Sequence, residues 1–395
     1  MTAAPQKLRC IACGEAGGRP FLEIPRSPVH CNVLWPTRDA ALAAPRGAIA
    51  LAFCGSCGHV WNHTFDPQLM EYTQAYENSL HFSPGFQKFA GELADRLIAR
   101  YGLRGKDIID IGCGKGDFLK LICARGDNRG VGFDPSYVPD PSDDDAGSRV
   151  RFVREFYSES HASTATDLVS CRHVLEHVAR PGEFVRSVRR SIGDRPHTGV
   201  YFEVPNVLYT LRDMGIWDII YEHCSYFSAR SLSLLFAAAG FDVAAAGESF
   251  GGQYLSLDAL PARKAGSTGA GMTDLREMER LVTAFSAGYL RKLELWRDHL
   301  RRIRNEGRRA VVWGGGSKGV TFLNALNARD EVEMMVDINP RKQGMFVPVT
   351  GQMIVGPEKL RSQRPDSIII MNPLYREEIR SAAEGLGITA EYLLA

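Results

Sequence analysis

Four cysteines near the start of the sequence form two Cys-x-x-Cys pairs. Cys10 and Cys13 make the first pair, Cys54 and Cys57 make the second, and a glycine follows each pair. A turn of this kind presents two thiolates at the spacing of a tetrahedral edge, so two such turns suit one zinc ion. Four protein ligands leave no open coordination position, and the pattern therefore predicts a structural zinc site.

The stretch between the two pairs is 40 residues long. A compact site has roughly 15–20 residues there, so the spacing predicts a long inserted loop. A redox motif or four unrelated thiols are the alternatives, although a single redox motif would not need a second pair. Other side chains nearby are possible substitute ligands, and these are Cys31, His30, His59 and His63.

A glycine-rich turn follows the apolar segment 107–111. The run DIGCGKGDF extends from Asp110 to Phe118, and Asp134 ends the next apolar segment. A carboxylate at that place can accept both hydrogen bonds of a ribose diol, and the glycines let the backbone approach a cofactor closely. The spacing departs from the dinucleotide fingerprint G-x-G-x-x-G. It resembles motif I of the class I S-adenosylmethionine-dependent methyltransferases, which implies that cofactor.

The run CRHVLEH, residues 171–177, follows a later apolar segment. In methyltransferases of this fold, that strand end carries residues that face the cofactor and the substrate. His173 and His177 are four residues apart on a presumed helix and would share a face, but the sequence offers no apparent third metal ligand. The expected cofactor-binding residues are Asp110, Gly112, Cys113, Gly114, Gly116, Asp134, Pro135, Cys171 and Arg172.

The most specific motif is Tyr221-Glu222-His223, within the run IWDIIYEHCSYFS at 216–228. Together with the cysteine pairs, the glycine turn and His177, it makes the whole chain similar to the sugar C-methyltransferases of deoxysugar biosynthesis. Those enzymes methylate C3 of a nucleotide-linked 4-keto-deoxysugar. The resemblance implies that His223 is the base and that Glu222 and His177 assist it. A histidine titrates near neutrality and can remove a proton alpha to a carbonyl.

The sequence departs from the family near the expected substrate. The family has a tyrosine two residues before the glutamate, where this chain has Ile220. Tyr221, Tyr226 or Tyr76 could replace that tyrosine, and Tyr76 also matches a second active-site tyrosine of the family. Because the departures concern the acceptor, O- or N-methylation of a sugar or another natural-product intermediate remains an alternative. The expected catalytic residues are His223, Glu222, Tyr221, His177 and Tyr76.

Apolar and helical segments alternate from about residue 83 onward, which predicts an α/β protein with parallel sheets. We expect a zinc-binding module at 1–70, a Rossmann-like class I methyltransferase domain at 71–265, and a connector helix with a C-terminal Rossmann-like domain at 266–395. The last domain contains GGGSKG, residues 314–319, whose amides and lysine suit a phosphate. Asp337 follows the next strand, although a bound dinucleotide is not favoured.

The composition excludes several classes of function. Forty-seven basic residues against 46 acidic ones leave a net charge of +1, which disfavours nucleic acid or an anionic membrane as partner. Neither a signal peptide nor a membrane-spanning segment is visible, and nine scattered cysteines favour a reducing cytoplasm. We expect a small-molecule substrate, a nucleotide-linked sugar, and a monomer or weak homodimer. A zinc-ribbon protein that binds or modifies RNA or another protein is the alternative from a different class.

Overall fold

The computed structural model describes residues 8–70, 75–139, 149–264, 266–268 and 274–395. They form three β-sheets, which follow one another along the chain. None of the described helices is both long enough and apolar enough to span a bilayer.

The first sheet is antiparallel and is built around a long hairpin. Its order is β1-β2-β3-β4, and bulges interrupt the pairing of β2 with β3. The segment between those two strands carries one short helix. The elements are β1 (Leu8–Arg9), β2 (Ala16–Pro28), α1 (Arg38–Leu42), β3 (Arg46–Cys54) and β4 (Val60–Asn62).

The second sheet has seven strands and is packed between helices. Its strands are β5 (Asp107–Ile111), β6 (Arg129–Phe133), β7 (Val150–Val153), β8 (Leu168–Arg172), β9 (Gly199–Pro205), β11 (Phe241–Ser249) and β12 (Tyr254–Pro261). The helices of this region are α2 (Pro84–Tyr101), α3 (Asp117–Gly126), α4 (Pro181–Ile192), α5 (Val207–Arg212) and α6 (Ala229–Ala238). A short strand, β10 (Ser225–Tyr226), leaves this region and pairs with β4 as the fifth strand of the first sheet.

The strand order of the second sheet is β11-β12-β9-β8-β5-β6-β7. The five strands from β9 to β7 are parallel, and β12 inserts antiparallel between β9 and β11. Strands β6 and β7 follow on one side of β5, and strands β8 and β9 then follow on its other side. Ligands bind at such a reversal, beyond the carboxyl ends of the two strands. The structure thus confirms the expected Rossmann-like α/β class.

The third sheet repeats this design on a smaller scale. Its five strands are all parallel, in the order β15-β14-β13-β16-β17, with the reversal between β13 and β16. The elements are α7 (Leu275–Asn305), β13 (Ala310–Trp313), α8 (Ser317–Leu326), β14 (Val332–Val336), β15 (Met353–Val355), α9 (Leu360–Gln363), β16 (Ser367–Ile370), α10 (Arg376–Gly385) and β17 (Glu391–Leu394).

The connector helix α7 packs against several other parts of the chain. A single apolar cluster joins its buried face to side chains of the first sheet, of the segment 216–226 and of the third sheet. Phe285, Tyr289 and Leu293 are buried in that cluster. They recur at helical spacing, so they form one buried face of α7.

One helix expected from the sequence does not form. His173 has a backbone φ of 54°, which is left-handed, and only the single turn Leu175–His177 follows it. His173 and His177 therefore do not share a helical face. The chain bends here because the His173 amide bonds to the Glu203 carbonyl oxygen at 2.8 Å, which holds the loop against β9.

Replacement of Phe285 by alanine tests the importance of this shared core. Phe285 is fully buried, so Phe285→Ala should lower the free energy of unfolding by about 3–5 kcal/mol. Leu290 lies on the same helix with 66% of its surface exposed, and Leu290→Ala should change it by less than about 0.5 kcal/mol. Denaturant unfolding measures both values. Equal effects of the two substitutions would contradict the assignment of α7 as a core element.

Candidate functional site

The four cysteines of the two Cys-x-x-Cys pairs meet in space. Their sulfur atoms all lie within 4.8 Å of one another, with Sγ–Sγ distances of 3.7 Å for Cys10–Cys57 and for Cys13–Cys54. The long insertion expected from the spacing is the hairpin of β2 and β3, which returns the chain to its starting point. The substitute ligands that the sequence offered lie outside this group of sulfurs.

The two turns that carry the cysteines have nearly the same backbone geometry. Gly14 and Gly58 both have a φ of 78°, and their amides donate to the carbonyl oxygens of Cys10 and Cys54 at 2.9 Å. This φ favours glycine, which explains the glycine after each pair. Four thiols at such distances fit a tetrahedral zinc site that would be structural, because all four positions are taken by protein.

The glycine turn after β5 forms a cradle at the reversal of the second sheet. Gly112, Gly114 and Gly116 all have positive φ. A Cβ on Gly112 would lie 2.1 Å from Val174, and one on Gly116 would lie 2.3 Å from Phe152, whereas nothing lies within 4 Å of a Cβ on Gly114. Two of the glycines thus permit close packing, and the third borders open space where a ligand can approach the backbone.

Asp134 lies beside this turn, directly after β6. Its Oδ2 accepts a hydrogen bond from the Gly114 amide at 2.9 Å, and its Oδ1 accepts from the Ser136 amide at 2.7 Å. Pro135 is half-buried between them. Asp110 is buried at the end of β5, and burial raises the pKa of its carboxyl to about 6. These groups suit a cofactor with a ribose diol and a charged amino group.

Two other residues expected at the cofactor, Cys171 and Arg172, have their side chains packed against or paired with other parts of the protein. Cys171 is fully buried in the apolar core, so its side chain cannot face a ligand. The Arg172 guanidinium lies 4.2 Å above the Phe118 ring and donates to the Glu203 carboxylate at 3.1 Å. Cys113, in contrast, is half-buried in the turn itself. We correct the expected role of the Cys171 side chain to a position within the core. The Arg172 charge opposes the rise in the pKa of Asp110 in the cradle, so its expected role at the cofactor stays a prediction.

A cleft separates the second sheet from the third, and it contains three of the expected catalytic residues: Tyr76, His177 and His223. The rings of His177 and His223 meet edge to face, with centroids 4.9 Å apart. Burial, followed by the neighbouring His177, lowers the pKa of His223 to about 3. His223 is therefore neutral near physiological pH and carries the lone pair that a base needs.

Tyr221 and Glu222 lie outside this cleft. The Tyr221 hydroxyl accepts from the Asp66 amide at 3.0 Å and donates to the Asp66 carbonyl at 3.2 Å. The Glu222 carboxylate is fully buried and accepts from the Cys31 amide at 3.1 Å. Successive side chains point in different directions here, so only His223 reaches the cleft. We correct the catalytic roles expected for Tyr221 and for the Glu222 carboxylate to structural ones.

Glu176 is the residue that the sequence analysis missed. It is buried, lines the cleft, and brings its carboxylate together with His177 and His223 within 4.8 Å. Burial opposes its ionisation, but hydrogen bonding to His173 and the nearby histidines lower its pKa. The sequence run CRHVLEH contains this glutamate. However, a regular helix in this run gives no reason to pair Glu176 with His223, which is 47 positions away.

The C-terminal wall of the cleft repeats the geometry of the first glycine turn. The Gly315 amide donates to Asp337 Oδ2 at 2.7 Å, and the Asn339 amide donates to Asp337 Oδ1 at 2.7 Å. Lys318 and Lys342 line the same wall, and Lys318 Nζ is held by Asp218 at 2.8 Å. The strand reversal of the third sheet, with its glycine turn and its acid, thus faces the cleft.

Comparison with known proteins agrees with this geometry. Residues 86–246 match the family model of a methyltransferase domain, and residues 272–389 match that of the C-methyltransferase C-terminal domain. The chain is 26% identical to the C-methyltransferase NovU of Streptomyces niveus over 390 residues, which cover 94% of this chain and 90% of that protein. This protein is an S-adenosylmethionine-dependent methyltransferase.

Other methyltransferases resemble only part of the chain. The ubiquinone biosynthesis O-methyltransferase of Escherichia fergusonii is 32% identical over 110 residues, which are 27% of this methyltransferase and 45% of that protein. Among solved structures, magnesium protoporphyrin IX methyltransferase (ChlM) from Synechocystis PCC 6803 aligns with a TM-score of 0.35 and 17% identity. That alignment covers 45% of this chain and 84% of the other.

A substitution at Tyr221 distinguishes a structural from a catalytic hydroxyl. Tyr221→Phe removes both contacts with the Asp66 backbone and leaves a part-buried amide without its acceptor, so stability should fall by about 1–2 kcal/mol. Turnover measured below the unfolding transition should stay within about twofold of the parent. Tyr76→Phe, in the cleft, should lower turnover. Loss of turnover in Tyr221→Phe without loss of stability would contradict the structural role.

A cysteine substitution tests the metal site of the methyltransferase. Cys54→Ser removes one of four thiolates, so zinc content should fall well below one ion per chain, and the midpoint of thermal unfolding should fall with it because metal binding contributes to folding. Cys123→Ala, at a buried cysteine outside the group, should retain full zinc. Metal analysis after gel filtration measures the content, and full retention in Cys54→Ser would contradict the ligand set.

Proposed function

We propose that this methyltransferase transfers a methyl group to carbon, at C3 of a nucleotide-linked 4-keto-deoxysugar, by histidine-assisted enolisation. The observation that carries the proposal is the neutral His223 ring in the cleft, in contact with His177 and facing the C-terminal glycine turn. The similarity along nearly the whole chain to a C-methyltransferase supports carbon as the acceptor atom.

Methyl transfer to carbon requires a base more than it requires a strong acid. A base removes the proton alpha to the carbonyl, the electron pair of that C–H bond forms a C=C bond, and the π pair of the carbonyl moves to its oxygen to give an enolate. We assign proton removal to His223. His177 lies beside it, and its Nδ1 is 2.9 Å from the Glu222 carbonyl oxygen. Since a carbonyl oxygen only accepts, this bond places the His177 proton on Nδ1 and its lone pair on Nε2.

The enolate oxygen needs a hydrogen-bond donor, and this hydrogen bond becomes stronger as negative charge develops on the oxygen. Tyr76 lines the cleft and is buried, and we assign this role to its hydroxyl. Tyr226 also lines the cleft, but its hydroxyl contacts both the amide and the carbonyl oxygen of Ile220 at 3.1 Å. Tyr226 therefore supports the backbone before His223 rather than the substrate.

The cofactor cradle borders the same region of the molecule. The backbone around Gly114, together with Asp110 and Asp134, would hold S-adenosylmethionine, which supplies an electrophilic methyl group when bound. Ser79 lines the cleft and donates to Asp117 at 2.9 Å, at the start of α3. This hydrogen bond links a residue of the cleft to the end of the glycine turn, which suits a reaction that depends on alignment.

The nucleotide of the substrate is assigned to the C-terminal wall. Gly314, Gly316 and Ser317 bring backbone amides at the start of α8 to the cleft, and Lys318 and Lys342 bring positive charge. A helix N-terminus and lysines suit a diphosphate. The sugar would then extend from this wall toward His223, and structural zinc at the four cysteines would stabilise the module that supports the histidine from behind.

Proton exchange tests the proposal without requiring turnover. The protein is incubated in D₂O with S-adenosylhomocysteine and a panel of nucleotide-linked 4-keto-deoxysugars, and the C3 proton is followed by NMR. We expect the signal to disappear with the parent protein, and to persist with His223→Ala while S-adenosylhomocysteine affinity stays within about twofold. His197→Ala, at an exposed histidine outside the cleft, is the matched control and should exchange normally.

The other outcomes separate the alternatives. Substrate binding without exchange, followed by methylation, would indicate transfer to oxygen or nitrogen and would overturn the enolisation mechanism. Exchange that survives His223→Ala but fails in His177→Ala would move the base to His177. Absence of binding for every member of the panel would overturn the assignment of a nucleotide-linked sugar.

A further inference from the structure

A group of three side chains in the cleft has a property that the proposed methyl transfer does not require. Glu176, His177 and His223 each offer one ligand atom, and these atoms all lie within 4.8 Å of one another. Two imidazoles and one carboxylate form a donor set that is typical of sites for divalent transition metals with open coordination positions. We propose that these three residues bind such an ion in the cleft.

The Glu176 carboxylate is the strongest single indication. The side chain is 1% exposed, and no group of the described residues donates a hydrogen bond to its Oε2. Its other oxygen, Oε1, lies 3.6 Å from His173 Nδ1. A buried carboxylate oxygen without a donor is costly unless a cation or a ligand satisfies it. The unpartnered oxygen belongs to the group that meets the two histidines.

The surroundings of the three residues resemble the outer shell of a metal site. A metal-binding histidine commonly donates its other ring nitrogen to a carbonyl or carboxylate, which fixes its orientation. His177 has this arrangement, because its Nδ1 bonds to the Glu222 carbonyl oxygen at 2.9 Å. His173 takes the corresponding position behind Glu176, and it is itself held by Glu203 at 3.2 Å.

The geometry requires only small movements to hold an ion. Metal–nitrogen and metal–oxygen bonds of about 2.0–2.2 Å place neighbouring ligand atoms roughly 3.0–3.5 Å apart. Movement of the half-buried His223 ring toward Glu176 and His177, with the His177 contact to Glu222 kept, can close the remaining distance. All three residues line the cleft, so the open positions of the ion would face the substrate space.

Metal binding has a consequence that rests on the proposed function. The lone pair by which His223 would accept a substrate proton is the pair that would coordinate the ion. Ion and substrate proton therefore compete for one nitrogen atom, and a divalent transition metal should inhibit proton exchange reversibly. The ion would act as a regulator of the base rather than as a participant in the transfer.

Cobalt(II) is a suitable probe because it binds nitrogen and oxygen ligands, while zinc continues to occupy the tetrathiolate group. Protein that holds one zinc ion per chain is dialysed against Co²⁺, and bound cobalt and retained zinc are both counted. We expect one Co²⁺ per chain with full retention of zinc, and a visible spectrum without thiolate-to-cobalt charge transfer. No bound Co²⁺, or Co²⁺ that replaces zinc with a thiolate band, would overturn the proposal.

Variants locate the bound ion. Glu176→Gln and His177→Ala should each weaken Co²⁺ binding by at least about tenfold, whereas His197→Ala should bind like the parent. Retained affinity for S-adenosylhomocysteine shows that a variant is folded, and unchanged Co²⁺ binding in both variants would overturn the site. Because the count does not depend on turnover, Co²⁺ binding together with failure of the exchange assay would leave the metal site intact and remove only the assignment of the base.

Discussion

The position of His223 depends on the three residues that precede it. The Tyr226 hydroxyl holds the backbone of Ile220, the Asp66 backbone holds the Tyr221 hydroxyl, and the Cys31 amide binds the Glu222 carboxylate. Each contact fixes one residue of a segment without regular structure, and together they fix the backbone from which the next side chain extends. A histidine on a freely moving loop could not be aligned with a substrate to within the fraction of an ångström that proton transfer requires.

Buried charges beneath the cleft are arranged in alternating sign. Arg172 pairs with Glu203, Glu203 pairs with His173, and His173 pairs with Glu176. Burial opposes the charge on His173, but the neighbouring carboxylates of Glu176 and Glu203 raise its pKa to about 9. Each charge is compensated by a neighbour, which is the condition under which charges persist in a protein interior. The left-handed backbone at His173 is retained because it places this ring between two carboxylates.

Local patterns in the sequence were sufficient for the fold and for the cysteine group. The turns around Gly114 and Gly315 and the two Cys-x-x-Cys pairs each lie within a few residues, and their geometry follows from glycine conformation and thiolate spacing. The directions of Tyr221 and Glu222 depend instead on partners far away in sequence, Asp66 and Cys31, which no local pattern indicates.

The same limit explains why Glu176 was not anticipated. Its importance arises from proximity to His223, which a regular helix at 173–177 would not have produced. The strands at the edges of the sheets, β7, β15 and β17, are short and were also not anticipated, since few residues carry their pattern. Edge strands and side-chain partners across domains are decided by tertiary packing.

The fifth strand of the first sheet, β10, has a consequence for how the chain matures. Ser225 and Tyr226 pair with β4, so the N-terminal sheet has an unpaired edge until most of the chain has left the ribosome. The cysteine turns, in contrast, are complete once residue 57 has emerged. A nascent chain would thus acquire its metal-binding turns early and its completed sheet late, and the late event would be the one that brings His223 to its place. Maturation of the enzyme would then depend on a contact between the N-terminal sheet and the middle of the chain rather than on either domain alone.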